Sequence, residues 1–374
     1  MSHLDRFPTL SPQHYETLLR IPSGRVRCII DTDTRNEIDD QFALAWAFLS
    51  QDMLDIEAVY AAPYSFRNRL DELREAKSLL DAKPNSQETV VQRYRAQIER
   101  LQAKRVDIAD DAQLDPQTVT MVSPAEGMEK SYQEILIVLE KMGMTDTLTV
   151  LRGSDRYLES YDSPVESEAV THLIETARRA SPDDPLYIVA IGAPTNVASA
   201  LLLAPDIINN VVVTWTAGFP TTITGIFQES FNMEQDMLSS QLLFDSGVAQ
   251  VYLPGFHIGV QLGLSLPEME AWVRGKGEIG DYLYDLYIDN PHYPFQGIDD
   301  HFGRTWIIWD LINFAWLMQP DWVPTIMTDS PYLTNDRKWL RTDEKRHPMR
   351  EAIGINRDAI FRDFFQKLDN ASRS

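Results

Sequence analysis

Short apolar runs alternate with amphipathic stretches along most of the chain. "RVRCIID" (25–31) is a β-branched run of the length of a buried strand. "DDQFALAWAFLS" (39–50) crowds apolar residues at helical spacing, with carboxylates in its first turn, where the helix dipole favours them. "DIEAVYAAP" (55–63) predicts a second strand. The alternation returns further on. Helices are expected at 123–143, with Ser123 as cap, at 167–180 and within 193–205, and strands at 147–153, 186–192 and 210–218. "EQDMLSSQLLFDSG" then predicts a helix and "AQVYLPG" a strand. Strand and helix in regular succession predict an α/β fold, a mainly parallel open sheet with helices on both faces.

Three stretches break the pattern. Residues 1–24 hold three prolines and little periodicity, and read as a loosely ordered lead-in. Residues 67–120 carry two charged helical patterns separated by "PNS", an inserted helical hairpin followed by a loop. Residues 320–374 read as polar and irregular, ending in the amphipathic "RDAIFRDFFQKL". The expectation is a single domain over 1–374, with its core at about 25–322 and the insertion at about 67–120.

Composition narrows the partners. Of 374 residues, 34 are Lys or Arg and 56 are Asp or Glu, a net charge of −22. Such a surface repels phosphate backbones, so nucleic acid is not expected as a partner. Cys28 is the one cysteine, so no disulfide can form within the chain, which is compatible with a reducing cytoplasm. The start of the sequence has no apolar run of a secretory signal, and no stretch of about 18 apolar residues predicts a membrane span. A cytoplasmic protein without membrane contact is expected.

The charge is not spread evenly. Asp31, Asp33, Glu37, Asp39 and Asp40 fall within ten positions at the end of the first predicted strand, opposed by Arg35 alone. In open α/β sheets ligands bind beyond the carboxyl ends of the strands. Carboxylates this close repel one another, and a hard divalent cation with oxygen ligands relieves the conflict. Asp33 ends the strand and Asp40 begins the helix, so both can face one cavity. A doubled helix cap explains Asp39 or Asp40 individually but leaves Asp31 and Asp33 without a reason.

Two enzyme classes place acids here. "DTDT" (31–34) fits the Asp-x-Asp-x-Thr nucleophile of haloacid-dehalogenase-like phosphatases, with Thr214, Lys276 and "GDYLYD" (280–285) imitating their later motifs; yet no apolar strand precedes that Gly-Asp. "DTDTRNEIDDQFAL" more fully resembles the N-terminal signature of the nucleoside hydrolase family (the inosine–uridine-preferring ribohydrolases). "VAIGAPTNVASALLLAPDI" (189–207), "ESFNMEQD" (229–236) and "WDLINFAWLMQPDW" (309–322) resemble that family's later segments in the same order.

The resemblance implies a metal-dependent hydrolase that cleaves the N-glycosidic bond of a nucleoside or related ribosyl compound with a metal-activated water. It implies one Ca²⁺, with Asp33, Asp40, the backbone carbonyl of Ile191 and Asp310 as ligands. Asp33 would also be the catalytic base, and Asp39 would grip the ribose hydroxyls. Asp31 would support the loop through hydrogen bonds. Glu229 and Asn232 would bind the 5′ end of the ribose. The family also implies a homo-oligomer.

Several positions depart from the family. Two extra residues, Asn36 and Glu37, lengthen the loop between Asp33 and Asp39. Ser230 stands where the family usually has Glu. Trp309 stands where many members carry a His that protonates the leaving base, and it becomes a candidate wall for that base. A replacement acid is sought in "YIDNPHYPFQGIDDHFGRTW" (287–306), where His292, Tyr293 and His301 are candidates and Trp306 is a second stacking candidate. Loss of that His also leaves open a non-catalytic ribosyl-compound-binding protein.

Overall fold

An eight-stranded sheet organises the chain in a computed structural model that describes residues 3–110, 113, 122–290, 292–293 and 304–373. Its strands are β1 (Val26–Thr32), β2 (Leu54–Ala61), β3 (Thr149–Arg152), β4 (Leu186–Ala190), β5 (Val211–Ala217), β6 (Ala249–Pro254), β9 (Thr325–Asp329) and β12 (Pro348–Ala352). The order across the sheet is β3-β2-β1-β4-β5-β6-β12-β9, parallel throughout except for the antiparallel pair β12–β9. Two small ribbons lie outside it, β7 (Gly263–Ser265) with β8 (Thr305–Ile307) and β10 (Tyr332–Leu333) with β11 (Trp339–Leu340).

The central strands β4, β5 and β6 are buried at every position, as their unbroken apolar runs require when both faces are covered. From β1 the chain moves outward to β2 and β3, then returns to the opposite side as β4. The crevice where the order reverses lies between the carboxyl ends of β1 and β4, the place where such sheets bind ligands.

Helix α1 (Pro12–Leu18) shows that the lead-in is ordered; Tyr15 and Leu18 anchor it in the core. Helix α2 (Asp39–Phe48) is buried on all sides, so its polar first turn is held inside the protein. Helices α3 (Arg67–Ala82) and α4 (Thr89–Ala103) form the expected hairpin and close around a small core of their own, including Leu70, Leu73, Val91 and Ile98. Helix α5 (Pro124–Lys141) starts in a full capping box at Ser123 and Glu126. Helices α6 (Glu168–Arg179), α7 (Thr195–Leu203), α8 (Phe231–Glu234) and α9 (Met237–Asp245) follow in the crossovers.

The C-terminal region corrects the reading of 320–374 as irregular. Its two strands extend the main sheet, and helix α13 (Arg357–Ala371), the last after α10 (Leu266–Trp272), α11 (Gly277–Ile288) and α12 (Leu311–Met318), buries Ile360, Phe361, Phe364 and Leu368. Edge strand β9 is largely exposed, so it lacks the apolar signature of an interior strand.

Candidate functional site

The carboxyl ends of β1, β4, β5 and β6 surround a cavity of about 200 Å³. Asp33 enters it directly after β1 and Ile191 directly after β4. Asp39 and Asp40 enter from the first turn of α2, and Trp309 and Asp310 from the residues that start α12. Glu229, Asn232 and Phe231 come from the segment entering α8.

Asp39, Asp40 and Asp310 each bring a carboxylate oxygen within 4.8 Å of the other two, and all three are buried. Asp33 lines the same cavity. Its Oδ2 accepts from Asn36 Nδ2 at 2.9 Å and from Gln235 Nε2 at 3.3 Å, while its buried Oδ1 has no partner. Asp40 accepts from the Thr32 hydroxyl. The Ile191 carbonyl accepts from Asn232 Nδ2 at 3.0 Å, which leaves one lone pair. Gly192 is required beside it, because a Cβ there would lie 2.8 Å from Asp33 Cγ.

Burial disfavours the charged forms of these acids. It pushes Asp33 up to about 7, with the Asn36 and Gln235 amides pulling the other way. Asp31 is likewise pushed up to about 7 by burial, against the Asn196 hydrogen bond. Burial raises Asp39, Asp40 and Asp310 well above the ordinary range; Glu37 adds to this at Asp39, Asp33 at Asp40 and Asp39 at Asp310. Without a cation, burial and mutual repulsion favour the protonated forms of these acids. A hard divalent cation fits what these residues offer: an all-oxygen donor set, mutual repulsion and an unpartnered buried carboxylate oxygen.

A frame of amides holds the acids. Asn196 donates to Asp31 Oδ1 at 2.7 Å and accepts from the Ser154 backbone N–H at 2.7 Å. Asn313 of α12 donates to the carbonyls of Ala190 at 3.0 Å and Thr214 at 3.2 Å and accepts from the Thr216 hydroxyl, tying α12 to β4 and β5 beneath the cavity. Asp236 accepts from Thr195 Oγ1 at 2.7 Å and from the Leu158 N–H at 3.0 Å. In the lengthened turn Arg35 adopts φ +100°, and its guanidinium lies 3.5 Å from buried Glu134 of α5.

The other candidates divide. Trp309 is half-buried, lines the cavity and meets Phe256 edge-to-face at 5.8 Å. The Glu229 side chain is exposed, at the rim. Glu37 also lines the cavity. His292 and Tyr293 do not. His292 is buried against Phe66 and Trp306, its Nε2 2.9 Å from the Asn36 carbonyl. Trp306 packs with them and lines no part of the cavity. His301 lies outside the described residues. The phosphatase constellation does not assemble, since Lys276 pairs with Asp369 at 2.6 Å and lies away from the acids.

Residues to which the sequence assigned no site role include Gln235 and Asn36 on Asp33, Asn313 beneath the strands, and Arg69 of α3 on the cavity wall. Gln235 lies inside the "ESFNMEQD" segment, which was a usable signal; Arg69 sits in the insertion, where there was none.

The chain was compared with known proteins. No curated protein matches it by sequence. Among solved structures, a purine-preferring ribonucleoside hydrolase from Gardnerella vaginalis shares 16% identity and a TM-score of 0.61 over 93% of this chain and 99% of that one. A plant nucleoside hydrolase shares 16% identity and a TM-score of 0.60 over 92% and 99%. The type III effector protein XopQ, solved in complex with adenosine diphosphate ribose, shares 14% identity and a TM-score of 0.56 over 97% and 99%. These likenesses concern the fold. The sequence model of the inosine-uridine preferring nucleoside hydrolases matches residues 28–362, spanning the acids after β1, the helical hairpin and the strands added at the C-terminus. With that match over nearly its whole length and the acid cavity at the family's end of the sheet, the chain belongs to the inosine-uridine preferring nucleoside hydrolase family.

Proposed function

We propose that the protein is a Ca²⁺-dependent N-ribohydrolase that cleaves a nucleoside or related ribosyl compound into a base and a sugar. The observation that carries this is the buried carboxylate cluster around the cavity, with Asp33 Oδ1 unpartnered. Asp33, Asp40, Asp310 and the Ile191 carbonyl would hold the ion; bound there, Ca²⁺ supplies Lewis acidity toward water and a hard anchor for sugar hydroxyls. Asp33 Oδ1 accepts the proton of the attacking water. Its Oδ2 is held by Asn36 and Gln235, which fixes the carboxylate's aim. Asp39 accepts hydrogen bonds from the ribose hydroxyls. Asn232 commits its amide nitrogen to the Ile191 and Thr216 carbonyls, so its Oδ1 is left for the 5′ end of the sugar. As the glycosidic bond breaks the sugar gains oxocarbenium character, and the surrounding carboxylates stabilise it. Trp309 and Phe256 offer an aromatic wall to the base.

A second reading, a protein that binds a ribosyl compound without cleaving it, is favoured by Trp309 at the position of the family's leaving-group His and by the absence of His292 and Tyr293 from the cavity wall. XopQ, which is similar in fold, was solved in complex with adenosine diphosphate ribose, a ribosyl compound. Base release measured across a nucleoside panel with added Ca²⁺ separates the two. Release that is lost on chelation and in Asp33→Ala is the expected result; binding with no release of any base establishes the second reading. Trapping of a phosphorylated Asp31 would refute both.

A further inference from the structure

The acid cavity carries one basic group among its described lining residues, Arg69. A neutral nucleoside gives it no purpose, and a sugar gaining positive charge is disfavoured by it. Its structural task, pairing with buried Glu234, uses only part of its donor set. Glu234, buried at 3% exposure, pairs with Arg69, with Arg93 at 2.9 Å and with Arg337 at 2.7 Å. The second carboxylate of the group, Glu72, pairs with Arg93 and Arg337 and accepts from the Tyr94 hydroxyl at 2.9 Å. Three guanidinium groups thus share the carboxylates of Glu234 and Glu72, and the exposed Glu229 carboxylate stands at the same rim. Arg69 spends Nε–H on Glu234 and one Nη2 proton on the Glu229 carbonyl at 3.2 Å, leaving Nη1 and the other Nη2 proton as donors. The Phe231 ring, 4.9 Å from its guanidinium carbon, holds it in place.

Its position gives the donors a target. Glu229 and Asn232 flank Arg69 on the wall and are the residues assigned to the 5′ end of the ribose. The cavity, at about 200 Å³, is smaller than a site that encloses a complete ligand, so groups attached beyond the sugar extend over this rim. We propose that Arg69 is a specificity-determining residue, supplied by the inserted helical hairpin, that selects ribosyl compounds carrying a phosphoryl group at the 5′ position. This rests on the orientation of the sugar in the proposed function. The free donors of a guanidinium suit phosphate oxygens, and charge-assisted hydrogen bonds of this kind change affinity about tenfold to a hundredfold.

Calorimetric titration of the full chain, with Ca²⁺ present, tests it with D-ribose 5-phosphate against D-ribose and with adenosine 5′-monophosphate against adenosine. The phosphorylated member of each pair is expected to bind at least about tenfold tighter, with the preference shrinking as KCl is raised. In Arg69→Gln the preference collapses while affinity for D-ribose stays within about threefold, and Arg69→Lys retains part of it. Equal affinities in the wild-type protein overturn the proposal, as does a preference that Arg69→Gln leaves intact. Should Arg69→Gln fail to fold, the wild-type preference, its salt dependence and Arg69→Lys decide. Binding that follows the prediction with no base released refutes the hydrolase reading alone; base release from adenosine with no phosphate preference refutes this proposal alone.

Discussion

If the acid cluster takes up Ca²⁺ as proposed, binding is expected to displace protons. Burial pushes Asp33 up to about 7 and raises Asp39, Asp40 and Asp310 well above the ordinary carboxylate range, so the protonated forms are favoured in the metal-free site at mildly acidic pH. Ionising Asp33 alone at pH 5.5, about 1.5 units below its pKa, costs about 2 kcal/mol, and each further ligand adds to it. The apparent Kd for Ca²⁺ is therefore expected to fall about tenfold to a thousandfold per pH unit between pH 5.5 and 7, for one to three protons released. Titration calorimetry in buffers of different ionisation enthalpy counts those protons directly. The same raised pKa values make the metal-free fold hold more protons than the unfolded chain above about pH 4. Its stability is then greatest in acid and falls as pH rises through about 7, so the gain in Tm on adding Ca²⁺ is larger at pH 8 than at pH 5.5. Asp33→Asn should lower the proton count by about one. A Kd independent of pH, or a Tm gain larger in acid, would refute the reasoning.

Gly192→Ala puts a methyl 2.8 Å from Asp33 Cγ, and base release should fall at least about a hundredfold with the fold intact by circular dichroism; unchanged turnover would show that Asp33 need not stay where it is. Asn313→Ala strands the carbonyls of Ala190 and Thr214, and urea unfolding should report a loss of about 2–4 kcal/mol. A loss under about 0.5 kcal/mol would mean that other donors reach those carbonyls. Trp309→Ala opens the aromatic wall and should raise KM or Kd about threefold to tenfold for ligands with a large base, with little effect on D-ribose; equal effects on both would place the base elsewhere.

The parallel core was legible because its strands are buried on both faces and read as unbroken apolar runs, "LYIVA" and "VVVTWTA" among them. The acids were legible because five of them stand within ten residues. Strand β9 was not, since a mostly exposed edge needs no apolar pattern, and α1 was obscured by its flanking prolines. Asn313 and Gln235 act on groups distant in the chain, Gln235 on an aspartate 202 residues away, and nothing local marks an amide for such a task. His292 showed the reverse: a histidine considered as a replacement acid is instead a buried packing group.

The knot at Glu234 has a consequence for the order of assembly. Its three arginine partners lie 165 and 141 residues earlier and 103 residues later in the chain. During synthesis the acids after β1 and the hairpin emerge early, but the set of ion pairs on Glu234 is complete only once Arg337 has been made. A chain cut short before that point would keep the acid cluster in its sequence yet lack the last tie that seats Glu234. The wall bearing Arg69 thus draws its ion-pair partners from both ends of the chain.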